Sequence, residues 1–128
     1  MRKEEVSHLF TFVYRSFFKT GASRFRSDQI EVLGLIVHYD DDGLVDYIEV
    51  APRPRYATVT LLLFGEDVTD ATVARVLSIA KGRSLRANKE TNGYTFPDLG
   101  LNTFNTVLES EQDLVEAFGL EPLGRADR

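Results

Sequence analysis

Apolar residues Val6, Leu9, Phe10, Val13 and Phe17 recur at spacings of three and four along residues 3–19, KEEVSHLFTFVYRSFFK. That period predicts an amphipathic helix, with Gly21 as its C-terminal stop. His8, Phe10, Phe12 and Tyr14 also alternate, which leaves a strand open over part of the same stretch. Phe12 and Phe18 widen the apolar face toward a cover or an interface. Residues 22–29, ASRFRSDQ, read as a loop.

The period then changes to two. Residues 31–39, EVLGLIVHY, and 44–50, LVDYIEV, flank Asp-Asp-Asp-Gly. Asp-Gly between two β-branched runs is a hairpin signal, because a type I′ turn needs positive φ at both central residues. With Asp42-Gly43 at the tip, Asp41 faces Leu44, Tyr39 faces Asp46, Val37 faces Ile48 and Leu35 faces Val50. One face then collects Leu35, Val37, Ile48 and Val50, with Tyr39 near its end. The other carries Ile36, His38, Tyr47 and Glu49, and the alternation agrees on both strands.

Residues 51–56, APRPRY, are stiffened by two prolines. Residues 57–64, ATVTLLLF, predict a third strand, apolar on both sides in its second half as though covered twice. A helix follows at 70–81. Thr69 is its N-cap, Val68 and Val73 occupy the staple positions, and Val73, Val76, Leu77 and Ala80 form its buried stripe. Lys81 and Gly82 end it. Asn92-Gly93 marks a second turn, and short strands follow at 94–107, broken around Pro97 and Gly100. Ser110 with Asp113 resembles a capping box for a last short helix at 111–118. Residues 121–128 read as a frayed tail. The expected fold is α+β: an antiparallel sheet of four or five strands packed against two main helices, plus a short C-terminal helix.

Length and composition narrow the class. The 128 residues suit a single domain, and 43% hydrophobic content with 9 Phe and 5 Tyr can build a core. The absence of cysteine removes disulfides, thiolate metal sites and a thiol nucleophile. No apolar run approaches a membrane span, and the basic start is followed at once by Glu4 and Glu5, so a cytoplasmic protein is expected. A net charge of −5 disfavours nucleic-acid phosphate and suits a basic partner.

The segment HYDDDG is the first place to look for chemistry. Consecutive Asp40, Asp41 and Asp42 point different ways and do not match the alternating ligands of a calcium loop. His8 and His38 are the only histidines and lie in different elements, so no metal or other cofactor is expected. A turn accounts for the acids. In the hairpin register His38 faces Tyr47 and lies diagonal to Glu49, a group able to move a proton or hold a small ligand. No nucleophile or oxyanion hole accompanies it. Glycine-rich phosphate loops, GxSxG and HExxH are absent. Arg24 and Arg26 around Phe25 suit surface ion pairs, and Arg53-Pro54-Arg55 suits a rigid exposed loop.

DGLVDYIEV after a strand ending in HYD, together with GYTFPDLGLNTF after a polar loop, resemble small uncharacterised bacterial proteins. Some of these are encoded beside secreted polymorphic or contact-dependent toxins and look like immunity proteins. The resemblance spans about residues 33–104 and implies an inhibitor without chemistry of its own. The expected function is therefore a non-enzymatic protein-binding module that occludes a basic toxin. Its candidate partner surface is Tyr39, Asp40, Asp41, Asp42, Asp46, Tyr47 and Glu49, with Glu66, Asp67, Asp70 and Tyr94 nearby in the pattern. The alternatives are a ligand-binding or enzymatic site at His38, Tyr47 and Glu49, and a homodimer built on Phe12 and Phe18.

Overall fold

The computed structural model describes residues 1–5, 15–17, 25, 27–30, 33–53 and 59–122. They form one eight-stranded antiparallel sheet. Its strands are β1 (Arg15–Phe17), β2 (Ser27–Ile30), β3 (Leu35–Tyr39), β4 (Val45–Val50), β7 (Asn88–Glu90), β8 (Gly93–Phe96), β9 (Leu101–Phe104) and β10 (Ala117–Leu120). A small separate hairpin pairs β5 (Leu62–Leu63) with β6 (Glu66–Asp67), and α1 spans Val73–Gly82. The sheet order is β1-β2-β3-β4-β10-β9-β8-β7. Two meanders of local hairpins, β1 to β4 and β7 to β9, are thus joined by the last strand, which enters between β4 and β9.

One face of the sheet packs on α1. Val73, Val76, Ile79 and Ala80 of the helix meet Val50, Phe96, Leu101 and Phe118 of the sheet, with Val68, Ala71 and Val115 closing the cluster. Each fully buried Val, Ile or Phe stabilises this layer by about 1.5–3 kcal/mol. A second cluster, Ile30, Val37 and Tyr39, continues the core toward β2 through Leu35 and Ile48, which touch both. Beside it Asp28 is fully buried. Lys3 Nζ lies 2.7 Å from its Oδ1, and Tyr39 donates its hydroxyl to Oδ2 at 2.6 Å. A carboxylate out of water must be compensated in this way. The N-terminus is held at the same end by Val45 N–H to Met1 O and Lys3 N–H to Gly43 O.

The expected architecture needs correction. The molecule is mostly β, with eight strands in the main sheet rather than four or five. Among the described residues α1 is the only helix longer than one turn, so two main helices and a C-terminal helix are not what the chain builds. Within 3–19, Arg15–Phe17 is strand β1 against β2; residues 6–14 and 18–20, with Phe12 and Phe18, lie outside the described residues. Residues 3–5 are helical, as expected, while Arg15–Phe17 is extended because β2, read as loop, offers it an edge; His8, Phe10, Phe12 and Tyr14, whose alternation left a strand open, lie outside the described residues.

The segment 111–118 is not a helix either. Ser110 and Asp113 do exchange hydrogen bonds: Asp113 Oδ2 accepts from Ser110 N–H and Asp113 N–H donates to Ser110 O. They close a turn, however. The chain beyond runs across the start of α1, where Glu111 O and Asp113 O accept from Ala74 and Val73 N–H groups that a helix leaves unpaired. Val115 buries completely and Ala117–Leu120 continues as a central strand.

Other boundaries shift for local reasons. The α1 N-cap is Thr72, whose Oγ1 accepts from Arg75 N–H, rather than Thr69, and Ile79 joins the buried stripe where Leu77 was expected. Of the strand expected at 57–64, residues 57–58 lie outside the described residues and 59–64 contain only β5, whose Leu62 is 64% exposed rather than covered twice. Strands β8 and β9 do break around Pro97 to Gly100. The preceding turn centres on Thr91-Asn92, one residue earlier than expected, because Glu90 pairs with Gly93. Glu121 N–H donates to Gly100 O, and residues 123–128 lie outside the described residues. Among the described residues, no helix is long and apolar enough to cross a membrane.

Candidate functional site

The β3–β4 hairpin places the candidate residues. Leu35 pairs with Val50, Val37 with Ile48 and His38 with Tyr47, as the alternation predicts. The register then slips: Tyr39 faces Val45 rather than Asp46, across a bulge. The tip is also not the expected two-residue turn at Asp42-Gly43. Gly43 N–H donates to Asp40 O, and Gly43 has φ +76, so Asp41 and Asp42 are the central residues. This is the three-residue loop with a glycine in the left-handed region. Asp40 selects it, since its Oδ1 accepts from both Asp42 N–H and Leu44 N–H.

The expected partner surface therefore divides. Tyr39 is buried and bonded to Asp28, so it is not an exposed anchor. Asp40 is occupied by the turn. Asp41 and Asp42 are exposed at the tip, and Asp46 is half-buried at the bulge. Glu66 pairs with Arg75 at 2.6 Å, and Asp70 lies 3.8 Å from Arg53. Hydrogen bonds from Thr69 hold the Asp67 carboxyl below its usual range. Arg53 donates to Thr69 O and Val115 O, so it pins its loop to the α1 layer. Arg24, Arg26 and Arg55 lie outside the described residues.

On the face opposite α1, His38, Tyr47 and Glu49 do come together. His38 Nε2 is 3.1 Å from Glu49 Oε1, and the His38 and Tyr47 rings stand 6.2 Å apart. The structure adds Ser27, whose Oγ is 2.5 Å from His38 Nδ1. In the tautomer whose Nε2–H donates to Glu49, Nδ1 accepts from the Ser27 hydroxyl. The row runs from a buried end to an open one: Ser27 is 1% exposed, while the Glu49 side chain is 45% exposed. A molecule arriving from solvent meets the carboxylate, not the hydroxyl.

Beside this row lies a groove of about 440 Å³. Tyr47 and Glu49 border it on one side, Glu90, Asn92 and Phe104 on the other, with Gly93, Ala117 and Gly119 among its lining residues. Tyr47 crosses the central strand to donate to Asn102 Oδ1 at 2.9 Å. Only glycine fits beneath it, since a Cβ at 119 would overlap Tyr47 Oη. Burial chiefly, helped by the charges of Glu49 and Glu121 and opposed by the bond to Asn102, raises the Tyr47 phenol above its ordinary pKa. The phenol therefore remains a donor at neutral pH. Ser27, Glu90, Asn102, Phe104 and Gly119 escaped sequence reasoning because each reaches the site through pairing of distant strands. Gly119, within Phe-Gly-Leu, was the nearest local signal.

Among the described residues, these features define an antiparallel β-sheet with α1 on one face and a grooved, acid-bordered opposite face. The chain matches no family model, no curated protein and no solved structure.

Proposed function

We propose that this chain is a non-enzymatic protein-binding module of the immunity-inhibitor type, acting in the cytoplasm on a basic toxin, with its recognition surface on the sheet face opposite α1. The groove supports this reading: two carboxylates, Glu49 and Glu90, and two aromatic side chains, Tyr47 and Phe104, border one depression. An Arg or Lys side chain entering it meets opposite charge and aromatic faces together. Phe104 is 47% exposed, as an anchor for a partner would be. Asp41 and Asp42 at the hairpin tip extend the acidic field that steers such an encounter.

The test starts with the chain as bait in lysate of its native host, with mass spectrometry of what it captures. The captured protein's own activity is then titrated with this chain. Loss of activity at one equivalent, relieved by Glu49→Gln with Glu90→Gln, is expected. A captured protein that stays active in stoichiometric excess refutes the inhibitor reading.

The Ser27–His38–Glu49 row favours a second reading, a small-ligand or enzymatic site at His38, Tyr47 and Glu49. In it Glu49, set by His38, is the group a ligand touches. A thermal-shift screen of small amines separates the two: a hit abolished by Glu49→Gln and competing with no protein supports the ligand site.

A further inference from the structure

On the helix side of the sheet, away from the groove, a cavity of about 280 Å³ lies under the β5–β6 hairpin. Its lining is almost wholly aliphatic and aromatic, including Leu61, Leu63, Phe64, Leu101, Phe118 and Leu120. Well-packed interiors leave few voids of this size, and those that open to solvent are commonly ligand sites.

The hairpin roofing it is held by two contacts to α1. Glu66 pairs with Arg75 at 2.6 Å, and the Arg83 guanidinium stands 4.0 Å over the Phe64 ring. Phe64 has φ +52, a left-handed conformation that bulky side chains avoid. With Gly65 at φ +79 it forms a turn in which asparagine or glycine is the usual first residue. A phenylalanine there keeps an aromatic wall at the cavity rim, and Arg83, outside the lining, stacks on that same ring, one side chain away from the apolar space. Arg83 makes no ion pair among the described residues.

We propose that this cavity binds a short acyl chain with an anionic head, the chain under the hairpin and the head at Arg83. At about 30 Å³ for a water-sized group, a methylene's approximate size, the space suits eight or nine carbons. The site is independent of the groove and of the toxin-inhibitor reading.

The experiment titrates linear carboxylates from butanoate to dodecanoate into the intact chain, followed by methyl and amide NMR. Saturating one-to-one shifts confined to the cavity residues are expected. Affinity should rise by up to about four-fold per methylene and level off near eight carbons. Arg83→Gln should weaken octanoate about five-fold and leave 1-octanol unchanged. Leu120→Trp, at the rim, should block both. Phosphatidylglycerol vesicles form a second arm: sedimentation with vesicles that Arg83→Gln abolishes identifies a lipid as the source of the chain, and octanoate binding without sedimentation identifies a free acid. Shifts elsewhere, no plateau with length, or equal effects of Arg83→Gln on octanoate and octanol overturn the proposal.

Discussion

Gly119→Ala tests the central joint of the sheet and the wall of the groove together. Gly119 pairs with Glu49 on one side and Asn102 on the other, and Tyr47 reaches over it to Asn102. An added Cβ would overlap Tyr47 Oη and Asn102 Oδ1 and stand 2.5 Å from Tyr47 Cζ, so the ring must leave. The lost hydrogen bond costs roughly 1 kcal/mol, and a ring forced off its rotamer roughly 1 kcal/mol more. Alanine's smaller unfolded-state entropy returns about 0.5–1 kcal/mol. The net destabilisation is therefore about 1–1.5 kcal/mol, or about 3–5 °C in Tm for a chain of this size. In a Tyr47→Ala background the ring is gone and the Asn102 amide, released from its bond to Tyr47, can turn aside, so Gly119→Ala should be neutral or stabilising by about 0.5 kcal/mol. Urea denaturation of the four proteins, followed by far-UV circular dichroism, gives a coupling of about 1–2 kcal/mol if the ring is what the glycine accommodates. Additive effects would refute the reasoning.

Three further outcomes follow from other parts of the structure. Asp28→Ala leaves Lys3 and Tyr39 without their shared carboxylate and should cost about 3–5 kcal/mol in urea titrations, while Tyr39→Phe should cost about 1.5–3 kcal/mol. The raised Tyr47 pKa means that above the phenol's ordinary value of 10.0 the unfolded chain loses a proton that the folded chain keeps. Stability should therefore fall as pH rises from there toward the folded value, and Tyr47→Phe should flatten that limb of a Tm–pH curve. Deleting residues 117–128 bares the facing edges of β4 and β9, and size-exclusion chromatography should show association or unfolding. A folded monomer would contradict the bridging role of β10.

Much of the β3–β4 hairpin was legible from the sequence, because a two-residue period with one buried face admits one register. That period brought His38 opposite Tyr47 and diagonal to Glu49 without any tertiary information. The same local logic found most of the stripe of α1 and the break at Pro97 to Gly100. It failed where two local patterns competed or where a neighbour chose between them. Arg15–Phe17 lay within a helical period, yet β2 drew it into the sheet by pairing. Residues 111–118 carried a helix-start signature, yet the open N–H groups of α1 took their carbonyls and the gap between β4 and β9 took their continuation. The groove needs β4, β10, β9 and β8 side by side, an order no local pattern encodes. The sequence by itself determined which side chains share a strand face, since backbone geometry sets that within a few residues. The tertiary structure alone decided which strands are neighbours, and so which distant residues, Ser27 and His38 or Tyr47 and Asn102, come within bonding distance.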